Sequence, residues 1–460
     1  MRYLTPVLFA AGAMVLSTAP AYADLGDQLA KLLADDGAAN DFFGISVAVS
    51  GPTAIVGANL DNDNGSASGS AYLFDISDPA NPTQSAKLLP DDGAAGDFFG
   101  ISVAISGATA IVGAQRNDDN GGDSGSAYLF DTTTGRQIAK LLANDGAAGD
   151  RFGRSVAISG ATVIVGALGD DDNGPNSGSA YLFDTITGRQ IAKLLANDGA
   201  AGDLFGRSVA ISGATAIVGA SYDDDNGSQS GSAYLFDTTT GRQIAKLLAN
   251  DGAAGDFFGR SVAISGTTAV VGAYLDDDNG TSSGSAYLFN TTKGVQMAKL
   301  LPGDGAAFDE FGRSVAISGA TAIVGTHEDD DNGLNSGSAY LFDTTTGRQL
   351  VKLLPNDGAA DDHFGWSVAI SGATAIVGAY WDDDNGTNSG SAYLFDAAAP
   401  GNCPWDVNSD GVVNHHDILE VVHNLGLCDD PDNCPWDVNG DGTVNGRDVA
   451  AVARHFGPCP

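Results

Sequence analysis

The chain of 460 residues carries 58 acidic and 21 basic side chains, which gives a formal net charge of −37 at pH 7. Such a chain repels nucleic acid and anionic lipid surfaces, so both are excluded as expected partners. Because 43% of the residues are hydrophobic, the composition is that of a folded protein and not of a disordered acidic chain.

The N-terminus has the pattern of a secretory signal peptide. Arg2 precedes an apolar run over residues 4–16, and an Ala-Tyr-Ala cleavage site ends at Ala23. The run is shorter than the about 18 apolar residues of a membrane span, and no later segment approaches that length. We therefore expect residues 1–23 to be removed and the mature protein to be secreted, either extracellular or associated with the cell surface.

Before residue 400 the dipeptide Phe-Gly occurs seven times, with a first spacing of 56 residues and five further spacings of 53. Each repeat contains four short runs of strand-forming residues separated by turn residues. In the fourth repeat the predicted strands are 208–212, 215–220, 232–237 and 243–248. Four antiparallel strands in a repeat of this length are typical of a propeller blade. The repeated phenylalanines are Phe43, Phe99, Phe152, Phe205, Phe258, Phe311 and Phe364.

The two ends of the array indicate how the ring closes. The last repeat lacks its fourth strand, whereas a copy of that strand precedes the first Phe-Gly dipeptide, at residues 28–33. Residues 28–33 should therefore pair beside residues 391–396 and remove an open sheet edge. The prediction is an all-β, seven-bladed propeller over residues 24–396, with four antiparallel strands per blade and closure by the N-terminal strand.

The repeated motifs resemble the FG-GAP propeller of integrin α-subunits and its bacterial relatives. The resemblance covers residues 28–396 and depends on Phe-Gly, Ser-Val-Ala, Val-Gly-Ala and Ala-Tyr-Leu-Phe in seven ordered copies. It implies a propeller that displays a recognition surface, as in cell adhesion. The family holds calcium in a long Asp-rich loop between the first two strands. Here that turn is only Ser-Gly-Ala-Thr or a near variant, so those calcium sites are not expected.

A different acidic loop follows the second strand of each repeat, with the pattern [DN]-[DN]-D-N-G-x-x-S-G. Clustered Asp, Asn and carbonyl oxygens could supply several of the six to eight ligands that calcium takes. The same residues also form Asx turns between two strands. The sequence leaves both interpretations open, so calcium in the propeller stays undecided. The shared aspartates are Asp63, Asp119, Asp172, Asp225, Asp278, Asp331 and Asp384.

After a linker at residues 397–402, residues 403–460 contain two copies of an EF-hand-like calcium loop. Oxygen-bearing side chains occupy positions 1, 3, 5, 9 and 12, position 7 offers its carbonyl or hydroxyl, and glycine at position 6 permits the sharp bend. The pattern predicts two Ca²⁺ sites. The predicted ligands are Asp406, Asn408, Asp410, Val412, Asn414 and Asp417 in the first loop, and Asp437, Asn439, Asp441, Thr443, Asn445 and Asp448 in the second.

Each calcium loop is followed by one predicted helix, at residues 418–425 and 449–456. A loop with a single following helix, present twice, resembles a type I dockerin. The resemblance implies a cohesin-like protein partner on a scaffold or cell surface, often in polysaccharide-degrading systems. In that family the residues at loop positions 10 and 11 contact the partner and commonly carry a hydroxyl group. Here these positions are His-His at 415–416 and Gly-Arg at 446–447.

All four cysteines lie after residue 400, so the propeller folds without disulfides. Four cysteines allow three pairings. The internal symmetry favours one bridge in each half of a module that has little core of its own. The favoured disulfides are Cys403–Cys428 and Cys434–Cys459.

Residues that depart from the repeat are the candidates for chemistry. Glu310 and Glu328 are the only glutamates of the propeller and could act as a glycosidase-like carboxylate pair. Exposed aromatic side chains beside carboxylates suit a sugar or a peptide ligand. The candidate ligand-binding residues are Tyr274, His327, Glu328, Tyr380 and Trp381, with His363 and Trp366 as further members.

The leading hypothesis is a secreted, non-enzymatic binding or adhesion protein. Its propeller would recognise an unknown protein or glycan, and its calcium-dependent tail would anchor it. Neither a nucleophile elbow nor a propeller cysteine is present. The alternative is a polysaccharide-active enzyme or a carbohydrate-binding accessory protein, and a third hypothesis is a structural component of a surface layer.

Overall fold

The computed structural model describes residues 24–398, 412–413, 415–423, 425–427, 443–444, 446–453 and 457–458. Residues 24–398 form seven four-stranded antiparallel sheets. The strands are β1 Gln28–Leu32, β2 Phe43–Ser50, β3 Thr53–Ala58, β4 Ser70–Asp75, β5 Thr83–Leu88, β6 Phe99–Ser106, β7 Thr109–Ala114, β8 Ser126–Asp131, β9 Arg136–Leu141, β10 Phe152–Ser159, β11 Thr162–Ala167, β12 Ser179–Asp184, β13 Gln190–Leu194, β14 Ser208–Ser212, β15 Thr215–Ala220, β16 Ser232–Asp237, β17 Arg242–Leu247, β18 Val262–Ser265, β19 Thr268–Ala273, β20 Ser285–Asn290, β21 Val295–Leu300, β22 Ser314–Ser318, β23 Thr321–Thr326, β24 Ser338–Asp343, β25 Gln349–Leu353, β26 Phe364–Ser371, β27 Thr374–Ala379 and β28 Ser391–Asp396.

Six blades take their four strands consecutively from the chain, and the seventh combines both ends of the propeller. Blade one is β2 to β5, blade six is β22 to β25, and blade seven has the order β1-β28-β27-β26. At the closure, Ala30 faces Leu394 across the antiparallel pair β1 and β28. The Asp396 N–H also donates to the carbonyl oxygen of Asp27 over 2.9 Å. The seven-bladed ring closed by the N-terminal strand is therefore confirmed.

The strands of blade four show how local sequence produces the blade. A Gly-Ala turn joins β14 to β15, with Gly213 at a φ of 56°, in the left-handed region that glycine tolerates. The third strand, β16, is buried along almost its whole length because blades cover both of its faces. Three of the four predicted strands match the observed bounds, and the fourth begins one residue earlier, at Arg242.

Aromatic contacts between neighbouring strands explain the Phe-Gly motif. The ring of Phe205 makes edge-to-face contacts with Tyr234 and Phe236, with centroid distances of 5.5 and 5.8 Å. The glycine of each Val-Gly-Ala motif lies against the next blade: a Cβ on Gly219 would stand 2.0 Å from the carbonyl oxygen of Gly259. Both residue types recur seven times because every interface between blades has the same geometry.

The first strand of every blade is the innermost, and residues at the start of these strands line a central cavity of about 220 Å³. Antiparallel order places the loops after second and fourth strands at one end of the ring. We call this the acidic end, because it carries loops such as Asp223-Asp224-Asp225. The opposite end carries exposed basic residues such as Arg242 and Lys293.

The described residues of the C-terminal module include two helices, α1 His415–His423 and α2 Gly446–Ala453, which contact each other. Two-residue strands β29 (Val412–Val413) and β32 (Gly457–Pro458) pair, as do β30 (Gly426–Leu427) and β31 (Thr443–Val444). The predicted helix starts at 418 and 449 were wrong by three residues. Each helix begins at the tenth position of its predicted calcium loop. The twelfth loop residue therefore lies in the first helical turn.

Candidate functional site

A buried lysine holds the acidic loops of each blade together. In blade four, Lys246 Nζ lies 2.8 Å from Asp198 Oδ2, 3.0 Å from Asp223 Oδ2 and 2.6 Å from Asp225 Oδ2. The Tyr234 hydroxyl donates to the same Asp223 oxygen over 2.9 Å. Burial by itself would lower the pKa of Lys246, but hydrogen bonds to the aspartates outweigh it and raise that pKa. The ammonium group therefore occupies the centre of the carboxylate cluster.

This lysine cage recurs in every blade and includes the aspartate at the centre of each acidic loop. Blade two differs, because Asn117 replaces one aspartate around Lys140. The same loops form Asx turns; in blade four the Asp225 N–H donates to Asp223 Oδ1 over 3.1 Å. The geometry favours the turn interpretation over calcium, since an internal cation is already present. The seven lysines are Lys31, Lys87, Lys140, Lys193, Lys246, Lys299 and Lys352.

Both glutamates of the propeller converge on one buried histidine. His327 Nε2 lies 3.2 Å from Glu328 Oε1 and 3.6 Å from Glu310 Oε2. The side chain of His327 is only 4% exposed, and burial lowers its pKa to about 4. The imidazole is therefore neutral at neutral pH, and its contacts with the glutamates are not ion pairs.

The second histidine of the propeller completes the cluster. His363 Nδ1 lies 3.8 Å from Glu328 Oε1, and the His363 ring stacks edge-on against Trp381 with a centroid distance of 4.4 Å. Trp366 contacts His327 at 5.0 Å and Tyr380 at 4.5 Å between ring centroids. We call this set the six–seven cluster, because its members come from blades six and seven: Glu310, His327, Glu328, His363, Trp366, Tyr380 and Trp381.

Buried polar atoms in the six–seven cluster lack hydrogen-bond partners among the described residues. They are Nδ1 of His327, both ring nitrogens of His363, and the indole nitrogen of Trp381. Unpaired buried donors and acceptors are uncommon in folded proteins, and a bound water, ion or ligand can satisfy them. Ligand atoms of His327, Glu328 and His363 also lie within 4.8 Å of one another, a donor set that zinc accepts.

The two glutamates have opposite pKa shifts. Burial, together with the charge of Glu328, raises the pKa of Glu310 to about 7 against the attraction of Arg313. A hydrogen bond from His327 lowers the pKa of Glu328. At neutral pH Glu310 is therefore much more readily protonated than Glu328, which is the arrangement that acid–base pairs use.

The structure brings four of the five predicted ligand-binding residues together and leaves Tyr274 apart. Tyr274 packs on Phe257, and the guanidiniums of Arg260 and Arg313 lie 6.0 and 5.5 Å from its ring centroid. The expectation that the aromatic residues are exposed was wrong for Tyr380, which is 7% exposed. Contacts with neighbouring aromatic rings bury it.

Sequence reasoning missed four arginines at the start of the inner strands. Arg154, Arg207, Arg260 and Arg313 occupy the position directly after Phe-Gly in blades three to six and line the central cavity. Their sequence signal was present, because Phe-Gly-Arg-Ser occurs four times in succession. Blade seven has Trp366 at this position, and the Arg313 guanidinium lies 4.2 Å from the Trp366 ring centroid.

Part of the C-terminal calcium pattern lies within the described residues. Asp417 and Asp448, the predicted twelfth ligands, are both fully buried in the first turn of a helix. Val412 and Thr443 lie on the short strands β29 and β31. The other predicted ligands and all four cysteines lie outside the described residues: Asp406, Asn408, Asp410, Asn414, Asp437, Asn439, Asp441, Asn445, Cys403, Cys428, Cys434 and Cys459.

Comparison with known protein families agrees with this architecture. The family model described as FG-GAP repeat matches the chain seven times, at residues 27–74, 82–130, 136–183, 189–236, 242–289, 295–342 and 348–395. The chain belongs to the FG-GAP repeat family. A second family model, the Dockerin type I domain, matches residues 404–457. None of the curated proteins compared with the chain matches it.

Each FG-GAP match begins in the fourth strand of one blade and ends in the third strand of the next. The match at residues 27–74 spans β1 to β4, and the last match ends in β28. Seven FG-GAP repeats of this kind close into a ring only when the first strand completes the last blade. The C-terminal module is a type I dockerin domain, a class that binds Ca²⁺ and implies a cohesin partner. None of the described helices is both long and apolar enough to cross a bilayer.

Proposed function

We propose that this FG-GAP protein is a secreted binding protein that recognises a ligand at the six–seven cluster and is held on a cohesin-bearing scaffold by its dockerin domain. The observation that carries the proposal is the convergence of residues that break the repeat. Both glutamates and both histidines of the propeller lie in this one cluster, with two tryptophans and a tyrosine.

Residues that recur in all seven blades serve the fold, whereas residues that depart from the repeat are candidates for recognition. The lysine cages and the Phe-Gly contacts recur around the ring, so the fold accounts for them. The glutamates and histidines of the six–seven cluster have no counterpart in the other blades: the positions of His327 and Glu328 are Ser221 and Tyr222 in blade four. Buried unpaired nitrogens beside aromatic rings favour a ligand with several polar groups and an apolar face, such as a sugar.

The dockerin domain supports the attachment part of the proposal. His415, His416 and Arg447, at the partner-reading loop positions, are exposed on the first turns of their helices. The proposed partner is a cohesin whose surface accepts imidazole and guanidinium groups in place of the usual hydroxyl groups. We propose two Ca²⁺ ions, one in each loop, with Asp417 and Asp448 as the last ligands.

Removal of calcium is expected to unfold the dockerin domain and to leave the propeller folded. The domain has a small core, so metal binding contributes much of its folding free energy. Chelation of the full chain should abolish binding to a cohesin panel, while the melting temperature of the propeller shifts by less than about 2 °C. Circular dichroism measures the thermal transition, and surface plasmon resonance measures binding to the cohesins.

Substitution of single dockerin aspartates provides the control. Asp417→Asn should weaken calcium binding in one loop, and Asp448→Asn in the other, without loss of the propeller transition. Persistence of cohesin binding in the presence of excess chelator would contradict calcium-dependent attachment.

A second candidate function is glycan hydrolysis, because the pKa values of Glu310 and Glu328 are shifted in opposite directions. One experiment separates the two functions: the wild-type chain, Glu310→Gln and Glu328→Gln are each incubated with a panel of neutral and acidic oligosaccharides. The binding function predicts retention of a ligand on the wild type without turnover. Hydrolysis by the wild type that either substitution abolishes would instead establish the enzyme.

A further inference from the structure

The arginines of the central cavity are unusual because no carboxylate of residues 24–398 forms an ion pair with them. Arg154, Arg207, Arg260 and Arg313 come from four consecutive blades and face the same cavity. Isoleucine fills the same position in blades one and two, so the propeller does not require a cation there. We call these four residues the arginine group.

No member of the arginine group forms an ion pair with a carboxylate of residues 24–398, although every propeller lysine of the acidic end does. The Arg207 Nε is buried without a hydrogen-bond partner among the described residues. Glu310 attracts Arg313 but makes no ion pair with it, and burial raises the pKa of Glu310 to about 7. The Arg313 guanidinium also lies over the aromatic rings of Tyr274 and Trp366.

Serine hydroxyls of the same strands cannot compensate for the charge. The Ser208 Oγ donates to the Gly259 carbonyl oxygen of the next blade over 2.8 Å, and Ser314 makes the equivalent bond to Gly365. These bonds hold neighbouring blades together. The guanidinium groups are thus the charged donors that face the cavity.

Burial and mutual repulsion disfavour the charged form of the side chains in the arginine group. Burial, followed by the charges of neighbouring arginines, lowers the pKa of Arg154 to about 9 and lowers that of Arg260 well below its usual value. The four side chains are part-exposed in the cavity, and like charges crowded together there destabilise a fold unless a counter-charge accompanies them. An anion in the cavity would relieve the repulsion and satisfy the buried donors.

We propose that the central cavity binds the oxyanion group of a small acidic sugar, either the carboxylate of a uronate or a sulfate ester. Guanidinium groups bind both oxyanions through paired, charge-assisted hydrogen bonds. The inference rests on the proposed binding function and names the ligand class for the surface that adjoins the six–seven cluster.

Size and charge favour a single acidic residue over a long polyanion. The cavity volume of about 220 Å³ is smaller than the about 300–1,000 Å³ of pockets that enclose drug-sized ligands. The net charge of −37 repels extended polyanions from the rest of the surface. Trp366, beside the arginine group, offers an aromatic face on which the sugar ring can pack.

The test is isothermal titration calorimetry on the full-length chain with glucuronate, glucose 6-sulfate, glucose and inorganic sulfate. We expect at least one acidic sugar to bind at least about tenfold more tightly than glucose and than inorganic sulfate. Arg260→Ile, which places in blade five the residue already found in blades one and two, should weaken that binding by at least about tenfold. Arg242→Gln, at the opposite end of the ring, should leave it unchanged.

A second readout does not depend on the identity of the sugar. In low-salt Tris buffer without oxyanions, Arg260→Ile and Arg207→Gln should each raise the melting temperature, because each removes an uncompensated charge. Added sulfate should raise the melting temperature of the wild type more than that of either variant.

Several results would overturn the inference. The inference fails if no acidic sugar binds, or if inorganic sulfate binds as tightly as the acidic sugars. It also fails if the arginine variants bind the acidic sugar with wild-type affinity, or if their melting temperatures are lower than that of the wild type. Binding of a neutral glycan that Arg260→Ile retains would refute the oxyanion site and leave the proposed binding function standing. Failure to find any glycan or peptide ligand would refute both the oxyanion site and the proposed binding function.

Discussion

Deletion of residues 24–33 is expected to abolish the cooperative thermal transition of the propeller. The deletion leaves β28 as an open sheet edge and removes Leu32, which is 1% exposed in the core between blades seven and one. It also removes Lys31 and so leaves Asp357, Asp382 and Asp384 without their shared cation. Circular dichroism during heating would show a broad transition at much lower temperature.

A permuted chain is the matched control for this deletion. Residues 28–33 are moved to follow Asp396 through a Thr-Thr-Thr-Gly turn, the connection used between β16 and β17 in blade four. The permutant should regain the wild-type transition, because blade seven is then built like the other six. A wild-type transition in the deletion variant would show that β1 does not close the ring.

Lys246→Met is expected to lower the free energy of unfolding by about 3 kcal/mol, as removal of one partner from a buried ion pair does. The lysine side chain is 15% exposed and Asp223 is 5% exposed, so solvent cannot replace the lost cation. The three aspartates then form an oxygen cluster suited to a hard cation. Millimolar Ca²⁺ should therefore restore part of the lost stability in the variant, measured by chemical denaturation of the propeller.

The control for this prediction is Lys293→Met, which removes an exposed lysine at the opposite end of the ring. Its free energy of unfolding should change by less than about 0.5 kcal/mol, with no added response to Ca²⁺. Equal stability of Lys246→Met and the wild type would show that the cage does not hold the blade together.

Blade number, strand positions and ring closure could be predicted because they follow from repetition. Seven Phe-Gly dipeptides fix the number of interfaces, and the displaced copy of the fourth strand at residues 28–33 fixes the closure. The lysine cages were not predicted, although seven Ala-Lys-Leu or Val-Lys-Leu motifs accompany seven acidic loops. Lys246 meets aspartates 23 and 48 residues away, and only the blade's register brings such distant groups together.

The candidate site was predicted in part. Departure from the repeat correctly identified His327, Glu328, Tyr380 and Trp381 as neighbours in one cluster. The burial of His327 and Tyr380 was not predicted, because it depends on contacts between side chains of adjacent blades. The arginine group was not predicted, because a residue that recurs at one position of a repeat indicates a structural role. Only the structure shows that the four arginines line the same cavity.

The most direct test of the account is binding to a glycan array by a variant whose blade six carries the blade-four residues, Glu310→Leu, His327→Ser and Glu328→Tyr. Blade four already carries these residues, as Leu204, Ser221 and Tyr222, so the propeller should stay folded. The account predicts an unchanged melting transition with loss of the glycan signal seen for the wild type. A folded variant that binds the same glycans with wild-type affinity would place recognition elsewhere on the protein.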